Sequence, residues 1–430
     1  MKLFLSQSRF FKNFSIYFTG TLIVKIIGVI NLLFLGNLLI PSLYANYVIF
    51  IMVCDFLQVF VVFGLTSGMM RLVSHDKKVI LSNSIFIVFI FSCLLILLIT
   101  PLRLLFSESR FILFDDISYY VAIRVFSSSI IAVIATFFIT IERPIRNTIV
   151  SMIGSIVFMI LLLIIKFLYI SKNLENDIVK LIVIAQTISV SLASLYSLYI
   201  SRKYIKRSLV SVKKSISILK QTSVFLSKHI IGIFQTRANQ IILAVFSNTA
   251  IFGIYSYYNS IIAQLSLLAG AFFKAYTPKI VNILHSKIDD RNNKVNRLVR
   301  KSLFYYLLIS PVFIIFSYFI IKMILIYQDQ ISVLINIEYI SELRLFYFML
   351  IAWVIGNFRS FLDVWQYINQ KYVNYFIILI QIIALFILFF GGIIFYNSFG
   401  VLGIVINLLL LYITVIMINI YCYKKFICVK

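Results

Sequence analysis

The chain has 430 residues, of which 62% are hydrophobic and 12% are charged, and its formal net charge is +25. Because soluble domains carry about 25% charged residues, this composition excludes an ordinary soluble globular protein. Its 5 prolines and 14 glycines exclude collagen-like and low-complexity chains. Most of the chain is therefore expected to lie in a lipid bilayer.

Apolar segments long enough to cross the hydrocarbon core, which takes about 20 helical residues, recur along the whole chain. No long run of alternating hydrophobicity favours a β-barrel. The predicted fold class is therefore an all-α polytopic membrane protein with twelve transmembrane helices. The predicted spans are 13–36, 44–66, 79–101, 119–141, 147–169, 178–200, 223–246, 251–273, 302–322, 343–366, 372–394 and 399–422.

Lysine and arginine are unevenly distributed between the predicted loops. With the N-terminus inside, the cytoplasmic segments hold most of the 39 basic residues, and the opposite loops hold more than half of the 14 acids. The positive-inside rule therefore predicts that both termini are cytoplasmic. The start, MKLFLSQSRFFKNF, lacks a small-residue cleavage site and is expected to be retained. The same bias explains the net charge without a nucleic-acid partner.

The polar segment SRKYIKRSLVSVKKSISILKQ, at 201–221, separates the sixth and seventh predicted helices. We expect an N-terminal lobe over 1–200, a basic cytoplasmic or interfacial linker over 201–222, and a C-terminal lobe over 223–430. The lobes share a weak repeat, because two tyrosines after the first span align with two after the seventh. These tyrosines are Tyr44 and Tyr47 in the first half and Tyr255 and Tyr258 in the second. Transporters often carry such repeats, with the substrate site between them.

Charged side chains occur inside several predicted spans, where a charge is costly and usually faces an interior or a water-filled cavity. Lys25, Arg124 and Arg237 lie deep in the first, fourth and seventh spans. Asp55 lies in the second span at the predicted depth of Lys25. The two are candidates for an ion pair, and Asp55 is also a candidate for binding a coupling ion.

The last charged pair inside the predicted spans is Arg359 and Asp363, four residues apart on one helix, where a structural ion pair is expected. Elsewhere, Ser128 shares a helix face with Arg124. Subtracting the expected pairs leaves an excess of cations within the membrane, which indicates an anionic ligand. Phosphate is a strong candidate because guanidinium groups match its geometry. For Lys25 a purely structural ion pair is the alternative.

The chain contains no recognisable pattern of catalytic or metal-binding residues. Its 3 histidines and 4 cysteines show no metal-ligand spacing, and it has no Walker loop or dinucleotide fingerprint. No catalytic residue, metal or cofactor is predicted, and an ATP-driven mechanism is unsupported within this chain.

Three segments carry a resemblance to a known family. They are IPSLYANYVIF at 40–50, FGLTSGMMRLVS at 63–74, and RANQIILAVFSNTAIFGIYSYYNSI at 237–261 with the later AFFKAYTPKI at 271–280. With twelve spans and cytoplasmic ends, the chain resembles the Wzx-type polysaccharide repeat-unit flippases of the multidrug/oligosaccharidyl-lipid/polysaccharide exporter superfamily. Family members often carry an acid where this chain has Asn239.

The resemblance implies two six-helix lobes around a cationic central cavity in the bacterial cytoplasmic (inner) membrane. It implies a cargo, an oligosaccharide on undecaprenyl diphosphate, that moves from the inner to the outer leaflet for surface polysaccharides such as O-antigen or capsule. Lys25, Arg124 and Arg237 would hold the diphosphate, and the lobes would rock for alternating access. Expected partners are this lipid-linked oligosaccharide, the bilayer, and a polysaccharide polymerase with chain-length proteins.

Three alternatives predict different sequence features. An ion-coupled drug exporter of the same superfamily is expected to line its cavity with acids. A flippase for the peptidoglycan precursor usually has two more spans. A membrane polysaccharide polymerase, the alternative from the enzyme class, is expected to have a large outer loop carrying arginines, whereas every predicted outer loop here is short.

Overall fold

A computed structural model describes residues 2–72, 76–106, 114–141, 143–172, 177–265, 280, 283, 291–326, 337–339, 342–363, 365 and 371–428. These residues are almost entirely helical, and no strand occurs among them. The all-α fold class predicted from the sequence is confirmed. The helices are α1 (Lys2–Leu38), α2 (Pro41–Val62), α3 (Leu65–Arg71), α4 (Lys77–Phe106), α5 (Phe114–Thr140), α6 (Pro144–Lys172), α7 (Ile178–Ser201), α8 (Val212–Phe246), α9 (Thr249–Leu265), α10 (Arg291–Ile326), α11 (Leu343–Leu362), α12 (Lys371–Phe386), α13 (Gly392–Phe399) and α14 (Val401–Tyr423).

Eight helices in the described part of the chain are long and apolar enough to cross a membrane. They coincide with the predicted spans one to six, eleven and twelve. The other four predicted spans fall on α8 to α11 or run partly into residues outside the described ranges, so the number twelve stays a prediction. The eight segments are Phe18–Leu38, Pro41–Val62, Lys77–Leu97, Ser118–Thr140, Ile145–Leu168, Ile178–Tyr204, Tyr375–Phe399 and Val401–Ile427.

The chain divides into two compact units, Met1–Ile233 and Phe234–Lys430. The division falls inside α8, whose first half packs within the first unit. The segment 201–222, expected to link two lobes, also belongs to the first unit. The lobe boundaries expected from the sequence remain a prediction.

In the first unit, α5 is the central helix and packs against α2, α3, α4, α6 and α7. Helix α1 packs mainly along α6, and the side-chain amide of Asn31 donates a hydrogen bond to the carbonyl of Ser155 between them, at 3.1 Å. Two helices begin with proline, at Pro41 and Pro144, where the missing N–H costs nothing. These contacts place α2, α5 and α7 side by side around the interior of the unit.

Helix α3 approaches the first half of α8 unusually closely. The chain turns between α2 and α3 through Phe63 and Gly64, both with positive φ. A Cβ on Gly64 would lie 2.6 Å from the carbonyl oxygen of Thr222, and one on Gly68 would lie 2.2 Å from the Cγ2 of Thr222. The missing side chains of these two glycines therefore set how closely α3 and α8 pack.

In the second unit, α11 packs against α9, α10 and α14. A buried cluster joins residues of α8, α10, α12 and α14 with Trp365, which is fully buried and donates a hydrogen bond from Nε1 to the Oδ1 of Asn419 at 3.0 Å. Helices α12 and α13 are continuous through a π-helical turn, Ile387–Gly391, which widens the helix where Asn407 donates to the carbonyl of Leu388.

Candidate functional site

Arg124 is buried in the middle of a membrane-spanning helix of the first unit, with 8% of its surface exposed. Its guanidinium carbon lies 5.5 Å from the centroid of the Phe50 ring on α2, a distance at which a cation is attracted to a ring face. The buried Nε of Arg124 makes no hydrogen bond to any described group. A buried guanidinium with an unused donor is a plausible anchor for a polar ligand or a water.

Among the described residues, Asp55 is the acid whose charge acts on Arg124. The side chain of Arg124 hydrogen-bonds to Cys54, and both Asp55 and Cys54 lie on α2. The sequence analysis assigned no partner to Arg124, and its role in binding an anion stays a prediction. Only the packing of α5 against α2 brings these residues together. Asp55 is only half-buried, so part of its surface is exposed.

Further hydrogen bonds extend this polar region to α7. The Tyr47 hydroxyl donates to the Oε1 of Gln186, and the hydroxyls of Ser127 and Ser191 lie 3.2 Å apart. The hydroxyl of Ser128, singled out by the sequence pattern, instead donates to a carbonyl of its own helix. The polar residues of α2, α5 and α7 therefore form one cluster inside the first unit.

Lys25 is half-buried on α1, whose main partner is α6. Asp55 lies on α2, whose main partner is α5. The structure thus gives Asp55 a cationic neighbour, Arg124, that the sequence did not assign to it. The expected pairing of Lys25 with Asp55 stays a prediction.

The second unit has its own polar cluster, which includes Arg237. The Nη1 of Arg237 donates to the Oε1 of Gln240 at 2.6 Å, and the Nε2 of Gln240 donates to the hydroxyl of Ser256 on α9 at 3.1 Å. Gln235 donates to the carbonyl of Gln381 on α12 at 3.0 Å. The polar side chains on either side of Arg237 therefore contact α9 and α12 of the same unit.

Asn239, where related proteins are expected to carry an acid, is buried in this second cluster. Its Nδ2 lies 3.2 Å from the hydroxyl of Tyr255, and its Oδ1 makes no hydrogen bond to any described group. An amide keeps this position neutral, so the positive charge of Arg237 is not offset at Asn239.

The tyrosines of the proposed internal repeat are buried in both units. Tyr44 and Tyr47 lie in the first two turns of α2, and Tyr255 and Tyr258 lie in the middle of α9. In each pair the second tyrosine donates a long-range hydrogen bond, Tyr47 to Gln186 and Tyr258 to the carbonyl of Tyr339. The common pattern of burial and hydrogen bonding agrees with the weak repeat in the sequence.

The expected pair of Arg359 and Asp363 lies at the end of α11. The side chain of Arg359 is outside the described residues, so this pairing stays a prediction. Among the described residues, no group of three or more histidine, cysteine, aspartate or glutamate side chains is arranged to hold a metal ion.

Comparison with protein families decides the class of this chain. Residues 10–284 match the model of the family described as polysaccharide biosynthesis protein. The chain belongs to this family. The family includes Wzx-type flippases and other members of the exporter superfamily, so the resemblance seen in the sequence is confirmed. No curated protein sequence matches the chain significantly.

Solved structures of similar fold are transporters. A mutant of the MATE transporter VcmN from Vibrio cholerae is similar with a TM-score of 0.69 and 15% identity, covering 97% of this chain and 96% of that one. An outward-facing multidrug resistance MATE family transporter gives a TM-score of 0.63 and 14% identity, with 98% and 95% covered. At these identities the likeness establishes the fold alone, that of a multi-pass membrane transporter.

A third similar structure is a MOP superfamily transporter from Pyrococcus furiosus, with a TM-score of 0.62 and 14% identity, covering 97% of this chain and 96% of that one. It is described as having a binding pocket of reverse polarity, which suggests a different function for that protein. The fold shared by these transporters is therefore found with binding pockets of different charge.

Proposed function

We propose that this protein moves undecaprenyl-diphosphate-linked oligosaccharide repeat units from the inner to the outer leaflet of the bacterial cytoplasmic membrane. It works by alternating access and is not an enzyme. Membership of a polysaccharide biosynthesis family and the fold of a transporter together support this class of cargo.

The observation that carries the proposal is the buried guanidinium of Arg124. It lies within a span, retains a donor that no described group accepts, and is accompanied by a single described acid, Asp55. Keeping a cation inside a membrane is costly, and such residues typically mark the path of a substrate or ion. A diphosphate supplies several acceptor oxygens, which suit a guanidinium better than they suit an ammonium group.

In this proposal Arg124 binds the diphosphate together with Lys25, and Arg237 of the second unit is a separate candidate cation. The polyprenyl chain stays in lipid, and the sugars pass through water. Asp55 modulates the affinity for the anion, because its charge offsets part of that of Arg124. In this proposal Asp55 is also the candidate site for the coupling ion.

The second candidate function is ion-coupled drug export, which the likeness to multidrug MATE transporters supports. The two functions differ in the sign of the charge that binds the cargo. A cationic drug requires an acid at its site, and replacing Arg124 with a neutral residue is then expected to preserve or improve export. A diphosphate requires the cation, and the same change is expected to abolish export.

The test uses a strain that lacks the native gene and measures surface polysaccharide per molecule of membrane-inserted protein. Arg124→Gln is expected to lower this ratio at least about tenfold, the effect of losing one charge-assisted contact of about 1.5–3 kcal/mol. Arg124→Lys keeps the charge and is expected to retain partial export.

Lys166→Gln is the matched control for Arg124→Gln. It removes the same charge from another span. The Nζ of Lys166 lies 5.6 Å from the centroid of the Phe34 ring on α1, and Lys166 is not one of the proposed cargo ligands. We expect its export per molecule to equal that of the wild type. Wild-type export by Arg124→Gln, or drug resistance conferred equally by Arg124→Gln and the wild type, contradicts the proposed function.

A further inference from the structure

The segment between α7 and α8 is held rigidly against α4 by buried side chains. Asn83 is fully buried and makes four hydrogen bonds. Its Nδ2 donates to the carbonyls of Val79 and Leu209, and its Oδ1 accepts from the backbone N–H of Ser211 and the hydroxyl of Ser215, all at 2.7–3.1 Å. An asparagine that uses all its hydrogen-bonding groups in this way fixes the path of the backbone around it.

Two more contacts fix the start of the same segment. The buried hydroxyl of Ser82 accepts a hydrogen bond from the backbone N–H of Lys206 at 2.9 Å. The ring of Tyr204 packs edge-on against Phe137, with centroids 5.2 Å apart, and lies 6.0 Å from the guanidinium of Arg146. The segment 202–211 is therefore an ordered surface element despite its short 3₁₀ turns.

This fixed backbone presents basic side chains to the outside. Residues 201–222 contain 7 basic residues and no acid. All seven are exposed, and they are Arg202, Lys203, Lys206, Arg207, Lys213, Lys214 and Lys220. Exposed apolar side chains lie among them, including Tyr199 at 58%, Val212 at 66% and Ile216 at 59%. Basic groups interspersed with exposed apolar groups are typical of segments that lie in a membrane interface.

The position of this surface in the fold agrees with such a role. The segment contacts the beginnings of α4 and α6 and the end of α5, so it lies where the spans of the first unit end. The expected orientation places this end in the cytoplasm. The cytoplasmic leaflet carries anionic lipids, which attract basic residues near the surface.

We propose that Arg202, Lys203, Lys206 and Arg207 form a preorganised binding surface for the headgroups of anionic lipids in the cytoplasmic leaflet. Asn83 and Ser82 act as positioning residues, because their hydrogen bonds fix the backbone that carries these basic side chains. The occupant is a bulk anionic phospholipid such as phosphatidylglycerol. The inference is independent of the proposed cargo, because it concerns the resident lipid and a different set of residues.

The experiment titrates the purified full-length protein in detergent with phosphatidylglycerol or phosphatidylcholine and counts bound lipids by native mass spectrometry. One basic residue near an anionic surface corresponds to about a fivefold change in affinity. Replacing all four residues with glutamine is therefore expected to lower the apparent phosphatidylglycerol affinity at least about fivefold. Phosphatidylcholine binding is expected to stay unchanged, which also shows that the variant is folded.

The matched control neutralises four exposed basic residues at the start of α10, namely Lys294, Arg297, Arg300 and Lys301. It removes the same total charge from another surface and is expected to lower phosphatidylglycerol affinity less than the linker variant does. Ser82→Ala keeps every charge and removes the acceptor for the N–H of Lys206, so an intermediate loss is expected. Equal losses in the two fourfold variants mean that binding follows total charge, and they overturn the proposal.

Two competition measurements separate lipid from other anions. Inorganic phosphate, added at constant ionic strength, is expected to displace phosphatidylglycerol no better than chloride does. Stronger displacement by phosphate, or binding of polyglutamate as tight as that of phosphatidylglycerol, overturns the lipid assignment. Wild-type phosphatidylglycerol affinity in the fourfold glutamine variant of the linker overturns the proposal outright.

Discussion

The guanidinium of Arg124 lies over the ring of Phe50, 5.5 Å from its centroid, where α5 packs against α2. The ring face stabilises the buried positive charge without neutralising it, because an aromatic quadrupole carries no net charge. The cation therefore stays available to an anion while its position is fixed by packing. The contact with Phe50 contributes to the fold, whereas the charge of Arg124 can bind cargo.

Phe50→Leu is expected to lower the stability of the protein and to spare most of the export per molecule. Loss of a desolvated cation–π contact costs about 2 kcal/mol, whereas the charge itself remains in the span. Unfolding in mixed micelles of increasing SDS content measures the first effect, and the polysaccharide assay measures the second. Phe60→Leu is the control, because Phe60 lies on the same helix but is 41% exposed. Unchanged stability of Phe50→Leu contradicts the stabilising role of the ring.

The double change Lys25→Ala, Asp55→Ala tests whether Lys25 binds an anion or only forms an ion pair. Lys25→Ala alone is expected to cost less than the roughly 3–5 kcal/mol of a broken, fully buried pair. The reason is that Asp55 retains Arg124 as a cationic neighbour. The double variant is expected to be less abundant than the wild type, because Arg124 loses its acidic neighbour, and to export less per molecule. Wild-type export by this variant excludes Lys25 from the anion site and leaves Arg124 and Arg237.

Gly68→Ala is expected to destabilise the packing of α3 on α8 by about 1–3 kcal/mol, as overpacking of a close contact usually does. Its new Cβ would lie 2.2 Å from the Cγ2 of Thr222. Thr222 is fully buried and has little room to move. Gly232→Ala is the control on α8, since nothing lies within 4 Å of its Cβ position. That change is expected to be neutral or slightly stabilising, because alanine favours a helix. The yield of monodisperse protein after heating measures both variants, and equal yields would show that the close approach is unimportant.

Reporter fusions test the orientation on which the lipid-binding surface depends. Fusions after residues 76, 144, 212 and 290 are expected to report the cytoplasm, and fusions near 112, 174 and 333 the opposite side, because basic residues concentrate in the first set of loops. A single reversed loop within the first unit contradicts the assignment of its basic end to the cytoplasmic leaflet.

The class of protein and most of its membrane spans were predictable from the amino-acid sequence alone. Long continuous apolar segments favour helices in lipid, since a helix satisfies its backbone hydrogen bonds within one segment. Eight of the predicted spans, among them 178–200 and 399–422, coincide with apolar helices in the described residues for this reason. The family resemblance also followed from local segments such as 237–261, which a sequence displays directly.

Contacts between polar residues of different helices could be identified only from the packed structure. Arg124 and Asp55 are 69 positions apart in the sequence, and a periodic pattern shows which face of a helix a residue occupies but not which helix faces it. The four hydrogen bonds of Asn83 could likewise not be predicted, because the sequence does not show which groups an asparagine in an apolar span contacts. Long-range contacts depend on how helices pack, and packing is a property of many side chains at once.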